Sequence, residues 1–139
     1  NLTGTFNVTR LAALEMGNNE PEKDGECGVI INTASVAAFD GQIGQAAYSA
    51  SKAGVVGMTL PIARDLARMG IRVNTIAPGL TNTDMMKKNH SEAIIKDVTS
   101  RISLKRIAEP EEVANVALIL SSELASYITC QVIRVDGGM

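Results

Sequence analysis

Residues 71–79 read Ile71-Arg72-Val73-Asn74-Thr75-Ile76-Ala77-Pro78-Gly79, a largely β-branched run that stops at a Pro-Gly pair. A similar run, Val29-Ile30-Ile31-Asn32-Thr33, lies upstream, and residues 45 to about 68 between the two have helical periodicity and end near Gly70. Short β-branched runs are typical of strands buried on both faces, and glycine commonly follows a helix C-terminus. These segments predict two parallel strands joined by a helix.

The rest of the chain continues this alternation. Apolar residues recur at helical spacing from Phe6 to Met16, and residues 109–122 form a second helical pattern that opens with Pro110 and acidic residues. Residues 131–135 predict a third strand, whereas residues 84–100 are polar and Lys-rich and suggest a mobile helical flap. Alternating helices and buried strands predict an α/β fold, with a parallel sheet and helices on both of its faces.

Three strands make a small sheet, because open α/β sheets usually have about five or more. The sequence begins at Asn1 without an initiator Met and runs directly into a helical pattern. We therefore expect residues 1–139 to be one domain from which an N-terminal portion, supplying further strands, is absent.

Composition narrows the classes of function. With 45% hydrophobic and 20% charged residues and a formal net charge of −2, the chain has the profile of one globular unit without the basic patch of a nucleic-acid-binding protein. Its apolar runs are shorter than the ~20 residues of a membrane span. Cys27, Cys130 and the single His90 are too scattered for a zinc site or a disulfide framework. We expect a cytoplasmic protein with reduced thiols, no metal, and no nucleic-acid or membrane partner.

Tyr48 and Lys52 are four positions apart on the predicted central helix, so their side chains share one face. A cation ~4 Å from a phenol favours the phenolate by up to ~4 kcal/mol at an effective dielectric of about 20. That would bring the pKa of the phenol from about 10 towards the range of general acid–base catalysis. Ser35 follows the first strand, and open α/β sheets bind ligands at the carboxyl ends of their strands.

An isolated Tyr and Lys at this spacing is usually a surface pair, and an isolated Pro-Gly is usually an ordinary turn. Here both occur together. The block from Ile31 to Ser35, with Tyr48-Ser49-Ala50-Ser51-Lys52 thirteen positions after Ser35, resembles the short-chain dehydrogenase/reductase pattern, and residues 73–83 resemble that family's Pro-Gly turn after its sixth strand. The resemblance covers essentially the whole chain. It implies the C-terminal, catalytic part of a doubly wound, Rossmann-like parallel sheet whose N-terminal dinucleotide-binding part is absent.

The resemblance also implies roles for individual residues. Tyr48 would be the general acid or base, Lys52 would bind the nicotinamide ribose and lower the pKa of Tyr48, and Ser35 would orient the substrate oxygen. Ser35 and Tyr48 would thus also bind substrate. Asn1 matches the fourth catalytic residue of the family, which holds a water that relays protons from Lys52.

The turn at Pro78 and Gly79 is implied to bind cofactor together with Tyr48 and Lys52. It would bring peptide groups near Thr81 to the nicotinamide carboxamide, and the Thr83 hydroxyl would approach the carboxamide or a phosphate. The expected cofactor is NAD, with NADP as the alternative. The glycine-rich phosphate loop and the residue that distinguishes the two at the ribose 2′ position are not in this sequence.

Within the family, two parts of the chain resemble subfamilies that act on different substrates. Residues 18–66 look most like type 2 3-hydroxyacyl-CoA dehydrogenases, and residues 104–139 look like 3-oxoacyl-carrier-protein reductases. The leading expectation is hydride transfer between NAD(H) and a 3-hydroxyacyl or 3-oxoacyl thioester, or another small carbonyl or alcohol. One alternative is an NADPH-dependent carrier-protein reductase. The other is an inactive fragment that acts only as an assembly surface, since the first and central helices resemble those at the family's dimer interface. A homo-oligomer, either dimer or tetramer, is expected.

At individual positions, the sequence predicts further local features of the structure. Cys130 stands where relatives usually have Gly, which predicts strain in that turn. Pro61 lies inside the long central helix, which predicts a kink near Gly57. Residues 84–103 lie where relatives place a substrate lid, and His90 within them is expected on a solvated face.

Overall fold

The computed structural model describes residues 1–89 and 91–139, so His90, which we expected on a solvated face, lies outside the described residues. Two short 3₁₀ helices, Val36–Ala38 and Glu123–Ala125, accompany the regular elements. These are, in chain order, α1 (Leu2–Met16), β1 (Gly28–Thr33), α2 (Ala46–Ala67), β2 (Ile71–Pro78), α3 (Asp84–Asn89), α4 (Glu92–Arg101), α5 (Pro110–Ser121) and β3 (Val132–Val135).

The three strands form one parallel sheet in the order β1-β2-β3. β1 pairs with β2 from Gly28 opposite Ile71 to Thr33 opposite Ile76, and β2 pairs with β3 from Thr75 opposite Val132 to Pro78 opposite Val135. This confirms the predicted α/β class with a parallel sheet.

The central strand β2 is buried from Ile71 to Ala77, and its alternating side chains enter two different cores. Ile71 and Val73 face α1 and α2, where they pack with Ala13, Ile30 and Ala63. Ile76 faces the opposite side and packs with Leu120 of α5 and Ala125. Helices therefore cover both faces of the sheet, and β2 is buried even at Arg72 and Asn74, which alternate with its apolar residues.

Helix α2 ends at Ala67 with Arg68 as its capping residue, so Gly70, which we expected to be the cap, lies two residues further on. Gly70 has a φ of +67°, and its carbonyl accepts a hydrogen bond from the Cys27 amide at 2.8 Å. A Cβ at this position would lie 2.1 Å from the carbonyl oxygen of Gly25. Glycine is required there both by the backbone conformation and by the close approach of the preceding loop.

Two further boundaries differ from the sequence-based expectation. β2 includes Pro78, although the Pro-Gly pair was expected to stop the strand before it, because the last residues of β2 pair with β3. Pro78 has no amide hydrogen, and the hydrogen bond to the Val135 carbonyl comes from the Gly79 amide that follows it. Residues 84–100 are helical, as predicted, but in two helices, because the Ser91 side chain accepts a hydrogen bond from the Ile94 amide and caps the start of α4. The mobility expected of this segment stays a prediction.

The expectations for Cys130 and Pro61 have different outcomes. Cys130 has a φ of 67°, in the left-handed region that a β-carbon disfavours, so the predicted strain is confirmed. Pro61 lies within α2, which runs without interruption from Ala46 to Ala67, and the kink near Gly57 stays a prediction. Across residues 1–89 and 91–139, no helix has the length and apolar character needed to cross a membrane.

Candidate active site

The carboxyl ends of β1 and β2 open onto one cavity of about 330 Å³. Parallel strands bring the loops that follow them to the same edge of the sheet, and α2 runs past that edge with Tyr48 and Lys52. All of the site residues predicted from the sequence except Asn1 line this cavity. The lining residues are Thr33, Ala34, Ser35, Tyr48, Lys52, Pro78, Gly79, Leu80, Thr81, Thr83, Met85 and Met86.

The Lys52 side chain is held by the end of β1. Its Nζ donates a hydrogen bond to the Thr33 carbonyl at 2.8 Å and lies 5.9 Å from the centroid of the Tyr48 ring. Tyr48 itself remains 41% exposed, so its phenol is open to a molecule in the cavity. The helical spacing thus places a cation and a phenol side by side, as the sequence predicts.

Ser35 has extended backbone and caps the 3₁₀ helix at Val36–Ala38. Its Oγ accepts a hydrogen bond from the Ala37 amide at 3.1 Å. A hydroxyl that accepts in this way still has its proton to donate. The cap therefore fixes the position of the Ser35 oxygen and leaves its proton available for the oxygen of a bound substrate.

Asn1 lies on the outer side of this arrangement. Its Nδ2 donates to the Ser51 hydroxyl at 3.4 Å, and Ser51 donates in turn to the Tyr48 carbonyl at 2.7 Å. Asn1 is exposed and is not among the residues that line the cavity. The structure connects it to α2 through Ser51, and its role in a proton relay stays a prediction.

The turn after β2 is packed against the end of β3. The Gly79 amide donates to the Val135 carbonyl at 2.9 Å, and a Cβ on Gly79 would lie 2.8 Å from the Asp136 Cα. Thr81 donates its hydroxyl back to the Gly79 carbonyl at 3.1 Å, while the Thr83 hydroxyl accepts from the Met86 amide at 3.2 Å. The turn is thus a fixed wall of the cavity, and its two threonine hydroxyls also stabilise the wall itself.

The start of α5 supports this wall from outside. Asn82 donates to both carboxylate oxygens of Glu109, at 3.1 and 3.0 Å. Arg106 binds Glu112 with two parallel hydrogen bonds of 2.6 Å, and the Glu109 amide donates to Glu112 at 2.8 Å. These hydrogen bonds, first those from Arg106 and then that from Glu109, lower the pKa of Glu112 to about 2. The same pairing raises the pKa of Arg106.

A second, smaller cavity of about 130 Å³ adjoins the first and shares Ser35, Tyr48, Gly79 and Leu80 with it. Its other lining residues, which sequence reasoning missed, are Val36, Ala37, Asp40, Gln42, Gln45, Ile94, Ile95, Val98 and Met139. The apolar positions 94, 95 and 98 have the spacing of one helix face and could have been found from it. Met139 is brought in by tertiary packing and had no sequence signal.

The two cavities meet at Ser35 and Tyr48, so a hydroxyl and a phenol lie between them. This arrangement suits a reaction between two molecules held side by side. Among the described residues, no three His, Cys, Asp or Glu side chains are grouped so that they could hold a metal ion.

A family model described as "Enoyl-(Acyl carrier protein) reductase" matches residues 1–139. The chain belongs to this family of short-chain dehydrogenases/reductases. The 3-hydroxyacyl-CoA dehydrogenase type-2 of Drosophila melanogaster is 56% identical over 139 residues, which are 100% of this chain and 54% of that protein. The 3-oxoacyl-[acyl-carrier-protein] reductase FabG of Aquifex aeolicus (strain VF5) is 47% identical over 139 residues, covering 100% of this chain and 53% of the relative.

Solved structures of the family have the same fold. The crystal structure of 3-hydroxyacyl-CoA dehydrogenase type-2 from Mycobacterium avium has a TM-score of 0.93 at 45% identity, covering 99% of this chain and 53% of that one. A 7α-hydroxysteroid dehydrogenase in complex with NADH and 7-oxo glycochenodeoxycholic acid has a TM-score of 0.89 at 34% identity, covering 99% and 52%. The chain therefore spans about half the length of the short-chain dehydrogenases/reductases that it matches.

Proposed function

We propose that this chain is the catalytic, C-terminal half of an oxidoreductase that transfers a hydride between NAD(H) and a 3-hydroxyacyl or 3-oxoacyl thioester. The observation that carries the proposal is that Ser35 and Tyr48 lie where two cavities adjoin, with Lys52 beside Tyr48 in the larger of them. The 56% identity to a 3-hydroxyacyl-CoA dehydrogenase type-2 supports the choice of substrate.

The larger cavity fits one part of a dinucleotide. Its volume of about 330 Å³ is at the lower end of the ~300–1,000 Å³ of small-molecule sites. Lys52, Thr81 and Thr83 would hold the nicotinamide and its ribose, against the wall formed by Pro78 and Gly79. When bound, the nicotinamide supplies or accepts the hydride. The phosphate-binding segment would belong to the half that precedes this chain.

The residues of this chain would handle the substrate oxygen. Ser35 would donate its hydroxyl proton to that oxygen, because its own acceptor position is already fixed by the Ala37 amide. Tyr48 would give its phenolic proton to the same oxygen during reduction and take it back during oxidation. Lys52, anchored by the Thr33 carbonyl, would keep a positive charge beside the phenol. Asn1 would hold a water that returns protons towards Lys52.

The first alternative is an NADPH-dependent 3-oxoacyl-carrier-protein reductase, which the 47% identity to such a reductase favours. Steady-state rates with CoA and carrier-protein thioesters, each measured with NADH and NADPH, separate the two enzymes. Higher kcat/KM for CoA thioesters with NADH would support the leading proposal, and the opposite pattern would support the alternative.

The helices α1 and α2 support a further part of the proposal, that the enzyme is a homo-oligomer. Phe6, Val8, Leu11 and Leu14 on α1 are all between 47% and 68% exposed. A patch of this kind on helices is typical of an interface between subunits. An inert assembly fragment is the second alternative, and titration calorimetry of NADH against residues 1–139 alone addresses it: binding would argue against an inert fragment.

Replacing Tyr48 with Phe in the longer protein that contains this chain tests the central proposal. We expect kcat to fall by roughly 10²- to 10⁴-fold, because the proton-exchanging group is removed, while NADH binding is retained. Tyr127→Phe is the matched control, since Tyr127 is 102% exposed and lines neither of the two cavities. A Tyr48→Phe enzyme with near-wild-type turnover would show that the proposed chemistry is wrong.

A further inference from the structure

The four residues 136–139 after β3 form a turn that contacts two segments beside the smaller cavity and also lines that cavity. Asp136 lies against Gly79 of the turn after β2, and Gly137 and Gly138 contact the segment that follows α4. Met139 lines the smaller cavity itself, together with Ser35 and Tyr48. The turn therefore connects the wall of the cofactor side to the wall of the substrate side.

Arg134 of β3 fastens this turn. Its Nε donates to Asp136 at 2.8 Å, and its Nη2 donates to the Met139 carbonyl at 2.6 Å. Its guanidinium also lies 5.5 Å from the centroid of the Phe39 ring, in the loop after β1. A planar guanidinium can serve all three partners at once, whereas an ammonium cannot. Arg134 thus fixes where the backbone of Met139 lies relative to Phe39.

The segment after α4 holds the turn from the other side. The Ser103 hydroxyl donates to the Gly138 carbonyl at 2.7 Å, and the Leu104 amide donates to the Gly137 carbonyl at 3.1 Å. A Cβ on Gly137 would lie 2.9 Å from Ile102, and both glycines have positive φ, at 64° and 81°. The backbone is therefore fixed on both sides immediately before Met139.

The Met139 side chain completes an apolar boundary. On α4, Ile94, Ile95 and Val98 line the same cavity of about 130 Å³. Its polar lining, apart from Ser35 and Tyr48, comes from Asp40, Gln42 and Gln45 in the loop before α2 and at the start of that helix. An apolar wall facing a catalytic hydroxyl and phenol suits the hydrocarbon part of a substrate whose oxygen lies at Ser35 and Tyr48. A flexible thioether adapts well to such a wall.

We infer that Met139 sets the length of acyl chain that the smaller cavity accepts, and that Arg134 is a positioning residue that holds Met139 in place. This inference rests on the proposed function, because it takes the ligand of the smaller cavity to be the acyl group of a 3-oxoacyl thioester. Shortening Met139 would lengthen the cavity, and a bulkier residue would close it.

The test uses the longer protein and a series of 3-oxoacyl-CoA thioesters of increasing chain length. We expect Met139→Ala to move the optimum of kcat/KM towards longer chains, with about fourfold gained for each further methylene that becomes buried. Met139→Phe would move the optimum towards shorter chains. NADH binding would be unchanged in both variants. Met69→Ala is the matched control, at a methionine that follows α2 and lines a separate cavity formed with α1 and α2. It would leave the chain-length profile as in the wild type.

Arg134 is tested by separating KM from kcat. We expect Arg134→Ala to raise KM for the best thioester several-fold and to flatten the chain-length profile, while kcat and NADH binding are retained. Arg134→Lys would restore the profile only in part, because one ammonium cannot replace the fork that binds Asp136 and Met139. Equal losses in kcat and in NADH binding would indicate a general structural effect and would overturn the positioning role.

The two levels of inference fail in different ways. A wild-type enzyme that reduces no 3-oxoacyl thioester would overturn the proposed function and, with it, the ligand assigned to this cavity. A wild-type enzyme that reduces these thioesters, alongside Met139→Ala and Met139→Phe variants with its own chain-length profile, would overturn the role of Met139 alone.

Discussion

Gly70 offers the sharpest test of how the helix α2 is joined to the sheet. A Gly70→Ala substitution would place a methyl group where the carbonyl oxygen of Gly25 lies 2.1 Å away and the Cys27 amide nitrogen 3.2 Å away. Both neighbours are backbone atoms, which cannot rotate aside as a side chain can. The loop before β1 would have to move, and the 2.8 Å hydrogen bond from the Cys27 amide to the Gly70 carbonyl would be weakened or lost.

The expected loss of stability has three contributions. A β-carbon at a φ of +67° costs roughly 1–2 kcal/mol. Losing the hydrogen bond costs about 1 kcal/mol more. The smaller conformational freedom of alanine in the unfolded chain offsets roughly 0.4–1 kcal/mol. We therefore expect Gly70→Ala to lower the free energy of unfolding by about 2 kcal/mol.

Gly44→Ala is the matched control for this substitution. Gly44 also has a positive φ, of 81°, but no atom lies within 4 Å of the position of its Cβ. It tests the backbone contribution without the clash, so we expect a loss of about 1 kcal/mol or less. Urea unfolding followed by circular dichroism gives both free energies, provided that the m values are unchanged. A Gly70→Ala variant as stable as Gly44→Ala would refute the argument from the close approach of Gly25.

Two further predictions concern α5. The pKa of Glu112 in the folded protein, about 2, lies below its ordinary 4.5, so its pairing with Arg106 stabilises the fold above about pH 4.5 and ceases to do so as the pH falls through 2. Glu112→Gln should therefore have a lower melting temperature than the wild type at pH 6 and a similar one near pH 2. Glu111→Gln should have the melting temperature of the wild type at both pH values. A difference between Glu112→Gln and the wild type that does not change with pH would contradict this. Leu120 is 1% exposed, so Leu120→Ala should lower the free energy of unfolding by roughly 2–5 kcal/mol in urea titrations. Leu118 is 67% exposed, so Leu118→Ala should lower it by less than about 0.5 kcal/mol. Similar losses in the two variants would contradict the packing described for α5.

Local sequence signals were sufficient for the strand–helix–strand unit around α2. The β-branched runs at β1 and β2 and the glycine after α2 gave boundaries within one or two residues, because each signal depends on backbone conformations that neighbouring residues already favour. The extension of β2 to Pro78 depended on β3, more than fifty residues later, and no local pattern encodes such a pairing. The start of α4 at Ser91 had a signal, a serine before a helical run, that we did not read.

The residues of the candidate site also divide into those that local sequence predicts and those that depend on contacts between distant segments. Tyr48 and Lys52 were predicted because one helix sets their spacing, and Ser35 because it follows the first strand. Pro78, Gly79, Thr81 and Thr83 were predicted through the resemblance to the short-chain dehydrogenases/reductases. Met85 and Met86 line the larger cavity without having been predicted there, and Met139 reaches the smaller one only through a turn fixed by distant contacts. Residues whose roles depend on the packing of separate segments have no periodicity that would reveal them.

The pairing of β3 with β2 also bears on the order in which the chain folds. The Gln131 amide donates to Asn74 across 57 positions at 3.0 Å, and the Cys130 amide donates to the Val73 carbonyl. Pairings between distant segments form slowly, since the ends of a long loop must first meet. On a ribosome, the unit from β1 to β2 emerges well before β3. Tyr48 and Lys52 can therefore be aligned on α2 while the smaller cavity still lacks the side that Met139 provides, so a nascent chain would align this tyrosine and lysine before the smaller cavity is complete.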